Sequence, residues 1–160
     1  MQIATWNVNS VRARQERVTA FLQRTNVDVL AMQEIKCKPE QFPVEAFEAI
    51  GYKIISHGLN QWNGVAFAYK QDLEAEDIET SFDQQPEFKD VQEARALGAT
   101  FNGVRAWSLY VPNGRGLDDY ICACGVAVPK WIFSTMLMTS VISVRSLSTW
   151  SFFPGYSLMT

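Results

Sequence analysis

Apolar positions recur with readable periods along the chain as far as Val111. Gln2-Ile3-Ala4-Thr5-Trp6-Asn7-Val8 reads as an opening strand. Val18, Phe21 and Leu22 fall at helical spacing, which predicts an amphipathic helix over residues 14–24. Asp28-Val29-Leu30-Ala31-Met32 is a compact apolar run that ends in Gln33-Glu34, so it predicts a buried strand with a carboxylate at its end. Pro43 in a first turn and Gly51 just past a last one predict a short helix over residues 43–50. Residues 52–56 read as a strand, and Asn63-Gly64 precedes an alternating strand through Val65, Phe67 and Tyr69. Residues 71–92 are mostly acidic and polar and read as a loop-rich excursion. Two β-like runs follow, residues 94–101 and 104–111, separated by Asn102-Gly103, the strongest short hairpin signal. Pro112-Asn113-Gly114 ends the second run in a turn. Early alternation of strands and helices followed by a hairpin predicts a layered α/β protein with mixed sheets.

The pattern changes near Tyr120. From Ile121 to Thr160 there is no Asp or Glu, and only Lys130 and Arg145 carry charge. Globular sequences average about 25% charged residues. This stretch has seven serines and an apolar run with no clean period, and it predicts no secondary structure. The expected organisation is therefore residues 1–119 as one unit and residues 120–160 as an atypical tail. A frameshift near Tyr120 accounts for so abrupt a break; a variant C-terminus covering an exposed sheet is the other reading.

Composition narrows the function classes. At 160 residues the chain has the size of one ordinary domain. Its net charge of −3 gives no overall basic footprint for a polyanion, though it leaves room for a local basic patch beside an acidic site. Three cysteines without framework spacing suggest a reduced, intracellular protein, and one histidine supports no Cys/His zinc site. No signal peptide is predicted, the apolar run 131–144 is too short to span a bilayer, and the expected location is cytoplasmic without membrane association.

Polar groups stand at the ends of the predicted strands: Asn7 after the first, Glu34 after the second, Tyr110 and Asn113 at the close of the hairpin. In α/β sheets such ends gather on one rim, where ligands bind. Hard oxygen donors there suit Mg²⁺, which takes one or two carboxylates together with water and phosphate oxygens.

Four segments then carry a resemblance: Ala4-Thr5-Trp6-Asn7-Val8-Asn9-Ser10-Val11-Arg12-Ala13, Asp28-Val29-Leu30-Ala31-Met32-Gln33-Glu34-Ile35-Lys36-Cys37, Asn63-Gly64-Val65-Ala66 and Tyr110-Val111-Pro112-Asn113-Gly114. In this order they resemble the first half of the exonuclease III type of apurinic/apyrimidinic endonuclease, within the endonuclease/exonuclease/phosphatase superfamily. The resemblance covers about residues 1–119. It implies part of a four-layer α/β sandwich and a Mg²⁺-dependent phosphodiesterase, with Mn²⁺ able to stand in. The implied substrate is double-stranded DNA, cut 5′ of abasic sites or trimmed at 3′ ends. By the same resemblance Glu34 matches the metal-binding carboxylate, Asn7 the asparagine that orders the metal shell, and Tyr110 the active-site tyrosine. Asn113 and Arg95 match positions that contact DNA. Asn9 lies where relatives carry Asp or Asn.

Two motifs of the family do not occur in this sequence: Gly-Asp-(Phe/Trp/Met)-Asn, which supplies the activating Asp, and the closing Ser-Asp-His. Loss of a general base alone typically costs about 10²–10⁴ in rate, so little or no nuclease activity is expected. The chain is expected to hold about one sheet with its helices, leaving a sheet face open to self-association. A non-catalytic metal- or DNA-binding module is the alternative, as is a phosphatase or phosphodiesterase of another superfamily branch. Trp6 and Trp107 are expected in the core and His57 in a structural role, while Lys36, Lys38 and Arg115 either face DNA or are simply solvated.

Overall fold

The computed structural model describes residues 1–82, 85, 92–111 and the strand at 140–146. The order is β1 (Ile3–Asn7), α1 (Val11–Thr25), β2 (Val29–Gln33), α2 (Val44–Glu48), β3 (Tyr52–His57), β4 (Val65–Lys70), β5 (Ala75–Glu79), β6 (Ala96–Phe101), β7 (Val104–Tyr110) and β8 (Ser140–Ser146), with a 3-10 turn at Pro39–Gln41. The strands form two four-stranded sheets, β1-β2-β4-β3 and β5-β6-β7-β8. In the first, β1 and β2 run parallel and the other neighbours antiparallel. The second is antiparallel throughout. The fold is α/β, as the sequence predicts.

Helix α1 begins earlier than its apolar spacing indicates, because Ser10 caps it: the Ser10 hydroxyl accepts the Ala13 N–H at 3.4 Å. It ends at Asn26, left-handed at φ 50°, whose N–H reaches the Leu22 carbonyl. Val11, Val18 and Leu22 form its buried face.

Strand β2 is buried on both faces, and its alternation divides the core. Leu30 and Met32 pack with Val18 and Leu22 of α1, Phe47 of α2 and Ala66 and Ala68 of β4. Val29 and Ala31 face the other way, packing with Val65, Phe67 and Tyr69 against Leu97, Ala99, Phe101 and Ala106 of the second sheet. The Phe67 and Phe101 rings meet edge-on with centroids 5.2 Å apart. Helices, first sheet and second sheet are thus three stacked layers held by two apolar seams.

Four expectations need correction. The chain has two packed sheets, not one with an open face, because β5–β8 cover the inner face of β1–β4. The expected loop-rich stretch contains β5, an edge strand whose Glu76, Asp77, Ile78 and Glu79 are exposed. Its polar composition is what an edge requires to avoid pairing with another chain, and it hides the strand from a hydrophobic pattern. The tail contains β8, aligned from Val104↔Ser146 to Tyr110↔Ser140, because β7 offers it a complete row of backbone partners. Trp107 lies outside both cores, half-buried on the outer face of the second sheet over Gly98, with Phe82 edge-on and the Arg105 guanidinium 4.8 Å from its ring. Trp6 does pack against the first core, edge-on to Phe21.

One ion pair ties the two central strands of the first sheet together at one end. Asp28 accepts from Lys70 Nζ at 2.9 Å and from the Gln2 N–H at 2.6 Å. These bonds hold its carboxyl below the ordinary 3.8. A lowered carboxyl contributes stability that is complete above its unfolded value and is lost as pH falls through the folded one. Asp28→Asn is expected to cost about 1 kcal/mol at pH 7 and progressively less below pH ~4, read by urea denaturation at both pH values.

Candidate metal and phosphate site

Three loops are stitched together where β1 and β2 end. Asn7 and Gln33 are register partners, so Glu34 is the first residue beyond the sheet. The Ser10 N–H donates to the Glu34 carbonyl at 2.7 Å and the Val11 N–H to that of Ile35 at 3.1 Å. From the loop before β4, the carbonyls of Gly64 and Asn63 accept the N–H groups of Ile35 and Lys36 at 3.1 and 2.9 Å. Asn9, Ser10, Glu34 and Lys36 all have positive φ, a cost tolerated where structure over-determines the chain and common at functional sites. Gly64 must be glycine: at φ +102° a Cβ would stand 2.7 Å from Ile35 Cγ1.

The Glu34 carboxylate is the centre. Its Oε1 accepts Asn7 Nδ2 at 2.9 Å, and its Oε2 lies 3.1 Å from Lys36 Nζ. Asn7 Oδ1 in turn accepts the Asn9 N–H at 3.1 Å, which assigns the amide so that its NH₂ faces Glu34. Lys36 Nζ also donates to Asn9 Oδ1 at 2.6 Å. Tyr110 arrives from the second sheet and brings its hydroxyl beside the same carboxylate, near enough to interact with it. Burial works to raise the Glu34 carboxyl, but the bonds from Asn7 and Lys36, the Lys36 charge and the Tyr110 bond together hold it below the ordinary 4.5. Burial, the Glu34 charge and the bond to it push the Tyr110 phenol up to about 12. At neutral pH the pair is therefore an ionised acceptor and a protonated donor.

The sheets are locked together beside this point. Gln33 Nε2 donates to Ser108 Oγ at 3.0 Å, and Ser108 donates to the Met32 carbonyl at 3.1 Å. Arg95 supports Tyr110: its carbonyl accepts the Tyr110 N–H at 2.8 Å and its guanidinium lies 5.9 Å from the phenol ring. Arg95 also pairs with Glu93, whose other oxygen accepts Asn63 Nδ2 at 3.1 Å.

Asn7, Glu34 and Tyr110, predicted as site residues, thus come together, with Arg95 adjacent through Tyr110. Asn113 and Arg115 lie outside the described residues. His57, at the end of β3, is half-buried, and burial pushes its imidazole below the ordinary 6.5. Sequence reasoning missed the roles of Gln33, Asn63, Glu93 and Ser108. It placed Lys36 on the surface, whereas its ammonium bridges Glu34 and Asn9. Trp62, adjacent to Asn63, is 71% exposed although it is the largest side-chain type.

The donor set suits a hard cation that keeps most of its water: one ionised carboxylate with a phenol oxygen nearby. Among the described residues no group of three or more His, Cys, Asp and Glu could hold a metal. Glu34 is the carboxylate at the centre of this cluster. No helix among the described residues is long and apolar enough to cross a membrane.

Comparison with known proteins follows this geometry. Residues 4–147 match the Endonuclease/Exonuclease/phosphatase family. An exodeoxyribonuclease III of Haemophilus influenzae is 38% identical over 72 residues, 45% of this chain and 27% of that protein. An AP endonuclease from Archaeoglobus fulgidus superposes with TM-score 0.66 at 37% identity, covering 76% of this chain and 46% of its own. The 3′ phosphatase NExo of Neisseria, solved with a product DNA hairpin, gives 0.68 at 30%, covering 78% and 48%. The chain therefore spans about half the length of the solved relatives it matches, and less of the curated one.

Proposed function

We propose that this chain, which belongs to the endonuclease/exonuclease/phosphatase family and is of its exonuclease III type, holds one side of a DNA-repair phosphodiesterase site. The substrate is double-stranded DNA with abasic sites or 3′ ends, and the cation is Mg²⁺. The observation that carries this reading is the shared carboxylate: Asn7, on the first sheet, donates to Glu34 at 2.9 Å, and the Tyr110 phenol, on the second, stands near enough for the Glu34 charge to raise it.

Glu34 and Asn7 would hold the cation, which when bound neutralises phosphate charge and the developing charge on the leaving oxygen. Tyr110, protonated across the physiological range, donates a hydrogen bond toward the same region. Arg95 keeps a positive charge beside Tyr110, suited to a phosphate. Asn113 remains a proposed phosphate contact on its motif alone. Trp62 offers an exposed indole next to Asn63, on which a base or sugar can pack. None of these groups activates water, and the sequence lacks the family's Asp and His motifs. The chain on its own is therefore a binder that cleaves little or not at all.

We keep the proposed boundary at residues 119 and 120, on the change of composition; the family match runs across it to residue 147. Self-association would use strand edges, because the inner sheet faces cover each other.

Fluorescence anisotropy with a labelled duplex tests the reading. Mg²⁺-dependent binding that favours an abasic-site duplex over an intact one, and that soluble phospholipid headgroups do not displace, is the expected result. Displacement by headgroups with no preference for the abasic site would favour the lipid-directed branch of the superfamily.

A further inference from the structure

We propose that Lys36 is a built-in competitor for the divalent cation: its ammonium occupies the Glu34 oxygen that a metal would use, and binding requires the lysine to swing away. The inference rests on the reading of Glu34 as a metal ligand and adds how that ligand is guarded.

Each Glu34 oxygen is engaged. Oε1 faces the Asn7 amide at 2.9 Å and Oε2 faces Lys36 Nζ at 3.1 Å. The Asn7 bond comes from a neutral donor and can persist beside a cation. The ammonium cannot, because a second positive charge at that oxygen is repelled at contact distance. Glu34 is the only carboxylate that Lys36 meets among the described residues, and its other partner, Asn9 Oδ1 at 2.6 Å, is a neutral amide. The ammonium therefore neutralises the carboxylate charge that would draw a metal to Glu34.

The geometry also gives the lysine a way out. Its backbone is pinned, with the N–H on the Asn63 carbonyl and φ at 54°, so only the side chain has to move. That side chain is 28% exposed, so water is available to take the ammonium. Exchange of one monovalent for one divalent cation at Glu34 then makes metal affinity depend on Lys36 charge.

The test is Mn²⁺ titration of the full 160-residue chain, following the EPR signal of free Mn²⁺ at low ionic strength. Lys36→Met and Lys36→Gln are expected to bind about tenfold more tightly than the parent chain, as removal of one adjacent unit charge implies. Lys36→Arg, which keeps the charge, is expected to match the parent, and Glu34→Gln to lose saturable binding. Circular dichroism melts confirm that each variant is folded. If both neutral variants bind as the parent does, or more weakly, while Glu34→Gln still loses the ion, Lys36 is no competitor and the Glu34 site stands. Absence of saturable binding in every chain, the neutral variants included, overturns the metal site and the competitor together.

Discussion

Glu34→Gln is expected to abolish saturable divalent-cation binding while leaving the fold in place. The substitution keeps shape and an oxygen for Asn7 Nδ2, now 2.9 Å from Oε1, but removes the only charge in the cluster that attracts metal. It also removes two of the four influences that raise the Tyr110 phenol, leaving burial and the Glu93 charge. The Tyr110 pKa should therefore fall from about 12 toward, but not to, the ordinary 10.0, as read by NMR titration of ring-labelled tyrosine. The stability effect has a defined sign. A carboxyl held below 4.5 stabilises the fold above that pH, and the contribution is lost as pH falls through the folded value. The Gln variant should thus lose stability at pH 7 and show a shallower loss in acid. A variant that still binds Mn²⁺ with parental affinity would mean the metal sits elsewhere.

Phe67→Ala is expected to destabilise the chain by about 3–5 kcal/mol, the largest effect of any single substitution considered. Its ring is fully buried between the sheets, edge-on to Phe101, and the layer around it is largely Val, Ala and Leu, which close poorly over a cavity. The consequence reaches the site. Glu34 rides on the first sheet and Tyr110 on the second, so a loosened seam moves the phenol away from the carboxylate whose charge raises it. Urea denaturation should show the loss, and the Tyr110 phenol should titrate lower. Ile78→Ala, on the exposed edge strand, is the control and should stay within about 0.5 kcal/mol of the parent.

How much of this was legible in the sequence depends on which force fixes each part. The first sheet and α1 follow from apolar periods, because Leu30 and Met32 against Val29 and Ala31 encode which core each face meets. Strand β5 was invisible because an edge strand is selected for charge, and β8 because β7 supplies its backbone partners whatever its side chains. The same limit applied to the site. Asn7, Glu34 and Tyr110 stand at strand ends within motifs and could be named. The buried Gln33–Ser108 bond joins residues 75 positions apart, and the Asn63–Glu93 bond residues 30 apart, so no local pattern carries them. Lys36 reads in sequence as a lysine that is solvated or faces DNA, because its spacing from Glu34 does not show that two left-handed residues turn their side chains toward each other.

The central claim is that this chain carries one wall of a phosphodiesterase site and not the machinery that activates water. Single-turnover nicking of an end-labelled duplex with one abasic site, by the purified chain with Mg²⁺ and in parallel with EDTA, tests it most directly. The account predicts no Mg²⁺-dependent product above that of Glu34→Gln. Specific cleavage 5′ of the abasic site, sustained by Mg²⁺ and lost in Glu34→Gln, would contradict it.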